Sequence, residues 1–196
     1  MKMKIAQGMV MFGSLVVAAT PAWAHKSPYY GGADVLISSA HGTGVSSYGL
    51  SFGNATGFNI YGGYHLPRLG IVRPAIEVGY DHFGTFNLNG LPAGYAGSLS
   101  GHDISLSAVF TVPVAARVGL FAQVGAAFWH ATATASDSTG SATASKSGTN
   151  ALFGGGVSYQ VTRAIGVRAE YRVTDISDQY GSGSVRSWVL GANYRF

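Results

Sequence analysis

The chain has 196 residues, 47% of them hydrophobic and only 10% charged, with 29 Gly and no Cys. That charge content lies well below the ~25% usual in soluble domains, and no apolar run beyond the N-terminus is long enough for a spanning helix. The missing cysteines exclude disulfides and thiolate metal sites. The formal charge of +4 comes without a Lys/Arg stripe interleaved with aromatics, so nucleic acid is not an expected partner.

Lys2 and Lys4 make a basic start, Met9 to Ala19 is apolar, and Ala22-Trp23-Ala24 supplies a small-x-small cleavage pattern. This reads as a secretory signal peptide over residues 1–24, with one domain over 25–196. Losing Lys2 and Lys4 leaves 10 basic against 8 acidic side chains, so half of the net positive charge belongs to the leader.

The mature chain reads as eight strands. Tyr30 to Ala40 sets Ala33, Val35 and Ile37 against Asp34 and Ser38. Thr56 to Tyr64 alternates Phe58, Ile60 and Tyr64 with Asn59 and Tyr61, and Pro74 to Phe83 places Ile76, Val78 and Tyr80 opposite Glu77 and Asp81. Thr85 to Gly101 carries Asn-Gly, Leu-Pro and Ala-Gly steps and is predicted as a long loop. His102 to Val112 and Val118 to Thr132 alternate again. Ala133 to Gly148 is nearly all Ser, Thr, Ala and Gly, which predicts a flexible loop or an extended hairpin tip. Asn150 to Gln160 and Ile165 to Val173 are the sixth and seventh strands, the latter setting Val167, Ala169 and Tyr171 against Arg168, Glu170 and Arg172. Asp175 to Val185 reads as a polar loop. Finally, Ser187 to Phe196 puts Trp188, Leu190, Ala192, Tyr194 and Phe196 on one parity. Period-two alternation of this kind marks strands with one apolar face.

Connections alternate between long and short, as in an up-and-down barrel whose short turns face the periplasm. The polar parity carries Arg117, Arg168, Arg172 and Arg195 against Asp34, Glu77, Asp81, Asp103 and Glu170. A solvated outer face would carry many more charges, whereas a confined lumen needs near-balanced ones. The charged parity is therefore predicted inside and the apolar parity against lipid. Tyr64, Phe128, Tyr159, Trp188 and Phe196 fall near strand ends, where interfacial aromatics belong. The fold class is all-β, an eight-stranded antiparallel transmembrane barrel.

With its leader, its eight strands, A-E-Y-R-V-T-D-I-S-D at Ala169 to Asp178 and a closing N-Y-R-F, the chain resembles the small OmpA-like, porin-like outer-membrane barrels. The resemblance implies location in the bacterial outer membrane. It also implies a tethering, adhesion, serum-resistance or weakly permeable surface role, and the barrel is read as non-enzymatic because no catalytic pattern is found in the residues. The implied partners are outer-membrane lipid and lipopolysaccharide, the barrel-assembly machinery, and any extracellular ligand met by the loops. Trp188, Tyr194 and Phe196 resemble the assembly signal. No peptidoglycan-binding domain is expected after Phe196.

Glu77, Asp81, Asp103, Arg168, Glu170, Arg172 and Arg195 are the candidate lumen network, read either as a salt-bridged plug or as a charge-lined ion path. A third reading, a lipid A-modifying enzyme, needs a nucleophile beside a base. His102 and Ser105 lie on opposite parities, and no Gly-x-Ser-x-Gly elbow occurs. His41, His82, His102 and His130 fall near the extracellular strand ends. The last three point outward by parity and lack short ligand spacing, so neither metal nor cofactor is expected.

Overall fold

A computed structural model describes residues 27–42, 51–178 and 181–196, with the side chains of 41, 42, 176–178, 181 and 182 left aside. The expected leader lies outside this range. The strands are β1 (Tyr29–Gly42), β2 (Ser51–Phe52), β3 (Asn54–His65), β4 (Arg73–Asn89), β5 (Ala96–Pro113), β6 (Val118–Ser136), β7 (Ser141–Gln160), β8 (Ile165–Asp178) and β9 (Gly181–Arg195). The two-residue β2 continues β3 along the same partner: Phe52 faces Leu88 and Phe58 faces His82 in one register on β4. Eight antiparallel walls result. β1 pairs with both β3 and β9, and the β4–β5 pairing closes the ring. Closure pairs each of the eight walls on both sides along the body of the barrel, which removes the open edge that hydrocarbon would meet, while β2 pairs only with β4, and 141–151 of β7 only with β6, among the described residues.

The inside and outside follow the predicted parity. Val35, Ile60, Val78, Ile104, Val124, Phe153 and Leu190 are exposed on the outer face, whereas Asp34, Asn59, Asp81, Asp103, Gln123, Glu170 and Arg172 are buried. Apolar side chains outward and polar ones inward is the arrangement of a barrel dissolved in lipid.

Two of the predicted loops are strand. β4 runs to Asn89 and β5 starts at Ala96, so Thr85 to Gly101 is a hairpin with a short tip at residues 90–95. Of the predicted loop Asp175 to Val185, 175–178 and 181–185 likewise continue β8 and β9, whose pairing reaches Asp178 opposite Gly181, while 179 and 180 lie outside the described residues. For Ala133 to Gly148 the extended hairpin applies: Ser136 faces Ser141 around the turn 137–140. Local polarity pointed to loops here, but ladder pairing to neighbouring strands overrides it. β4, β5, β6 and β7 thus rise past the rest of the wall as a tongue, held by pairs such as Asn87–Ser98, Gly97–Ala135 and Ala133–Ala144. At the opposite end lie the short turns 66–72, 114–117 and 161–164. Arg117, predicted among the lumen charges, sits exposed in one of these turns.

The lumen is layered. Nearest the short turns, Tyr30, Tyr61, Ala75, Val109 and Phe121 pack into one buried cluster. Nearest the tongue, Leu36, Ala55, Phe83, Phe86, Val185 and Val189 form another. Phe83 and Phe86 differ in parity, yet both face in, because the β4–β5 register shifts between His82 and Gly84. Gly84 has φ +80, and a Cβ there would run into the Thr56 carbonyl, so a bulge at this point requires glycine.

Candidate functional site

Between the two apolar layers lies an ionic one built from β1, β4, β5 and β8. Glu77 and Asp81 on β4 and Arg168 and Arg172 on β8 are each four residues apart, and the two strands occupy opposite walls of the ring. Both run the same way through the barrel, so the pairs meet at matching heights. Arg168 Nη1 donates to Glu77 Oε2 at 3.1 Å, and Arg172 Nη1 donates to Asp81 Oδ1 at 2.8 Å. These are two crossbars spanning the lumen.

Other contacts hold each crossbar in place. Arg168 Nη2 donates to Asp34 Oδ2 at 2.6 Å, and its guanidinium lies 3.7 Å from the centroid of the Tyr61 ring. Tyr30 donates its hydroxyl proton to Glu77 Oε1 at 2.7 Å. Arg172 grips Glu170 with two nitrogens, Nε at 2.9 Å and Nη2 at 3.2 Å. Such forked, charge-assisted bonds fix geometry as well as charge. Room for the carboxylates comes from neighbouring strands: a Cβ on Gly154 would strike Glu170 Oε1, and one on Gly191 would strike Asp34 Oδ1.

Of the seven predicted network residues, Glu77, Asp81, Arg168, Glu170 and Arg172 are joined in this layer. Asp103 is fully buried at the position facing Asp81, and no protein donor reaches either of its oxygens. Arg195 is elsewhere. Its Nη2 lies 3.1 Å from His65 Nε2 near the short-turn end, because parity names the wall of a strand but not the height along it. Sequence reading left Tyr30 and Tyr61 out of the site, and it did not carry Asp34 into the network despite its polar parity. Aromatic hydroxyls gave no charge signal, although Tyr61 does share its parity with Asn59.

On the outside, His82, His102 and His130 stand in one lateral row: His82 faces His102 across β4–β5, and His102 faces His130 across β5–β6. All three are half-buried. The His102 and His130 rings have centroids 5.4 Å apart, and His130 Nδ1 lies 2.7 Å from Ser147 Oγ on β7. His41 faces Ser184 across β1–β9, on the far side of the ring. Ser105 is buried in the lumen while His102 faces outward, so these two do not form a nucleophile–base pair. Trp188 and Phe196 are exposed on the outer face, and Tyr194 packs edge-on against Phe196 at 5.4 Å.

A closed antiparallel ring with a lipid-facing apolar exterior and a charged interior defines a β-barrel of the bacterial outer membrane. The chain matches the OmpA-like transmembrane domain over residues 24–196, and it belongs to that family. It is 29% identical over 209 residues to outer membrane protein A of Klebsiella aerogenes, and 29% identical over 202 residues to that of Escherichia coli O157:H7. Each alignment takes in 100% of this chain and 55% of the relative, so the chain spans about half the length of the curated relatives it matches. Among solved structures, it is similar in fold to Ail, the attachment invasion locus protein of Yersinia pestis, with a TM-score of 0.59 at 19% identity. That likeness covers 88% of this chain and 100% of the other.

Proposed function

We propose that this barrel is a non-enzymatic surface scaffold: a sealed, lipid-embedded body that holds the β4–β7 tongue and its neighbouring hairpins out toward the environment. A leader over residues 1–24 directs export, the strand ending in Trp188, Tyr194 and Phe196 serves the barrel-assembly machinery, and lipopolysaccharide surrounds the outer rim. Any extracellular ligand is met by the tongue and hairpin tips. The observation that carries this reading is the layering of the lumen. An ion entering from either end meets an apolar cluster and then arginine crossbars whose terminal guanidinium nitrogens are already committed to carboxylates. Opening a path through it would leave buried charges unpaired, at several kcal/mol each.

A second reading, a narrow cation path, is favoured by the acidic excess of the ionic layer. Asp34, Glu77, Asp81, Asp103 and Glu170 face only Arg168 and Arg172 among the described residues of that layer. Planar-bilayer conductance of the folded barrel separates the two. A silent wild type supports the scaffold. Reproducible, cation-selective steps altered by Arg168→Ala and Glu77→Ala would overturn it in favour of the pore.

A further inference from the structure

The histidine row lies where the wall leaves the membrane. On β5 the outward positions Ile104, Leu106, Ala108, Phe110 and Val112 precede the short turn, and His102 is the next outward position toward the tongue. Ten residues of strand tilted by about 40° rise roughly 25 Å, which is the height of the apolar band of such barrels. His102 therefore marks the outer boundary, and its direct partners His82 and His130, on strands about 4.8 Å away and tilted by about 40°, lie within about 3 Å of its level.

Within the row, His102 and His130 are direct cross-strand neighbours whose ring planes are inclined by 37°. His82 packs toward Phe58, with centroids 5.5 Å apart, whereas His102 and His130 approach each other at 5.4 Å. A tetrahedral ion with metal–nitrogen bonds of about 2.0 to 2.1 Å puts each ring centroid roughly 3.2 Å from the metal and the two centroids about 5.2 Å apart. The observed spacing is close to this. The contact between His130 Nδ1 and Ser147 Oγ occupies one ring nitrogen and leaves Nε2 as the ligating atom, the arrangement by which a neighbouring polar group orients a metal-binding imidazole.

We propose that His102 and His130 form a two-imidazole site for a divalent transition-metal ion, zinc or copper in class, on the outer face of the barrel at the base of the tongue. Imidazole nitrogen suits these metals. No group of three or more His, Cys, Asp or Glu side chains suited to a metal occurs among the described residues, so water completes the coordination. With two protein ligands, the site acts as a reversible clamp between β5 and β6 rather than as a structural centre, which would take four. Chain spacing concealed the pair because strand pairing, and not an i to i+4 step, brings the rings together.

The test is calorimetric titration of the detergent-folded full barrel with Zn²⁺ alone, alongside electron paramagnetic resonance of the Cu²⁺ form. The expected result is one Zn²⁺ per chain, weakened at least tenfold by His102→Ala and by His130→Ala, and about tenfold by Ser147→Ala. His65→Ala, at the other end of the barrel, leaves affinity unchanged. The Cu²⁺ spectrum shows nitrogen ligation. Absence of uptake by the wild type, a spectrum without nitrogen ligands, or wild-type affinity in both His102→Ala and His130→Ala would overturn the assignment. The first two outcomes need no variant to fold.

Discussion

Arg168 and Glu77 stand on opposite walls of the barrel and meet across its full width, with Arg168 Nη1 3.1 Å from Glu77 Oε2. Arg168 also holds Asp34. Replacing Arg168 with Met removes the shared cation and strands two buried carboxylates, for which a loss of about 3 to 5 kcal/mol is expected. Urea unfolding of the folded barrel measures it. Arg195→Ala, next to His65 near the short turns, is expected to cost about 1 kcal/mol or less. Equal losses would mean that the crossbar does not hold the lumen together.

The glycines beside the carboxylates give a second prediction. Gly154 and Gly191 each border an acidic side chain so closely that a Cβ would collide with its oxygen, while a Cβ at Gly140 meets nothing within 4 Å. Gly154→Ala and Gly191→Ala are therefore expected to destabilise by about 1 to 3 kcal/mol through overpacking. Gly140→Ala leaves the unfolding midpoint in place. A neutral Gly191→Ala would show that Asp34 can shift without disturbing Arg168.

Wall parity is tested with charge. Leu190 is 58% exposed and faces lipid, whereas Asn193 points inward near the short-turn end. Arginine on the lipid face at mid-membrane costs roughly 2 to 4 kcal/mol. Leu190→Arg should accordingly reduce the yield of folded barrel in liposomes far more than Asn193→Arg. Equal tolerance of the two would contradict the assignment of the faces.

Most of the barrel was legible because period-two alternation is a direct consequence of strand geometry, and the outward Leu190 and inward Arg168 follow from it without further information. Three things were not. Phe83 and Phe86 both enter the lumen because of the bulge at Gly84, and a parity count made without the register cannot anticipate that switch. The tongue was only half visible: Ala133 to Gly148 read as either a flexible loop or an extended hairpin tip and Thr85 to Gly101 as a loop, because residues that bury little take their order from ladder hydrogen bonds to neighbouring strands. The partner of Arg168 depends on strand order around the closed ring. A linear reading showed that charges share the lumen, but not that β8 faces β4.

The bulge itself is open to test. Gly84→Val forces a β-branched side chain into a conformation with φ +80 and against the Thr56 carbonyl. The β4 parity then has reason to revert, turning Phe86 out of the upper apolar layer. The expected outcome is a folded but less stable barrel, by about 2 kcal/mol or more, with a hydrophobic probe binding at the tongue end. A variant with wild-type stability would show that the bulge is not what directs Phe86 inward.

The tip of the tongue carries a pH dependence whose sign can be worked out. Asp137 accepts hydrogen bonds from the Thr139 hydroxyl at 2.6 Å, the Thr139 amide at 2.7 Å and the Gly140 amide at 3.0 Å. These donors favour the charged form, the Thr139 side chain most, and hold the carboxyl below its ordinary value. A group depressed in the folded state contributes order that is present above its unfolded pKa, near 3.9, and that is lost as pH falls through the lower folded value. Amide exchange at Thr139 and Gly140, compared with Ala133 in the ribbon below, should therefore lose relative protection only below about pH 4. In Asp137→Asn the carboxylate is gone, and this pH dependence should vanish while the ribbon pairing between Ala133 and Ala144 persists. Protection that is unchanged down to pH 2 in the wild type would mean that the turn is closed by its backbone alone.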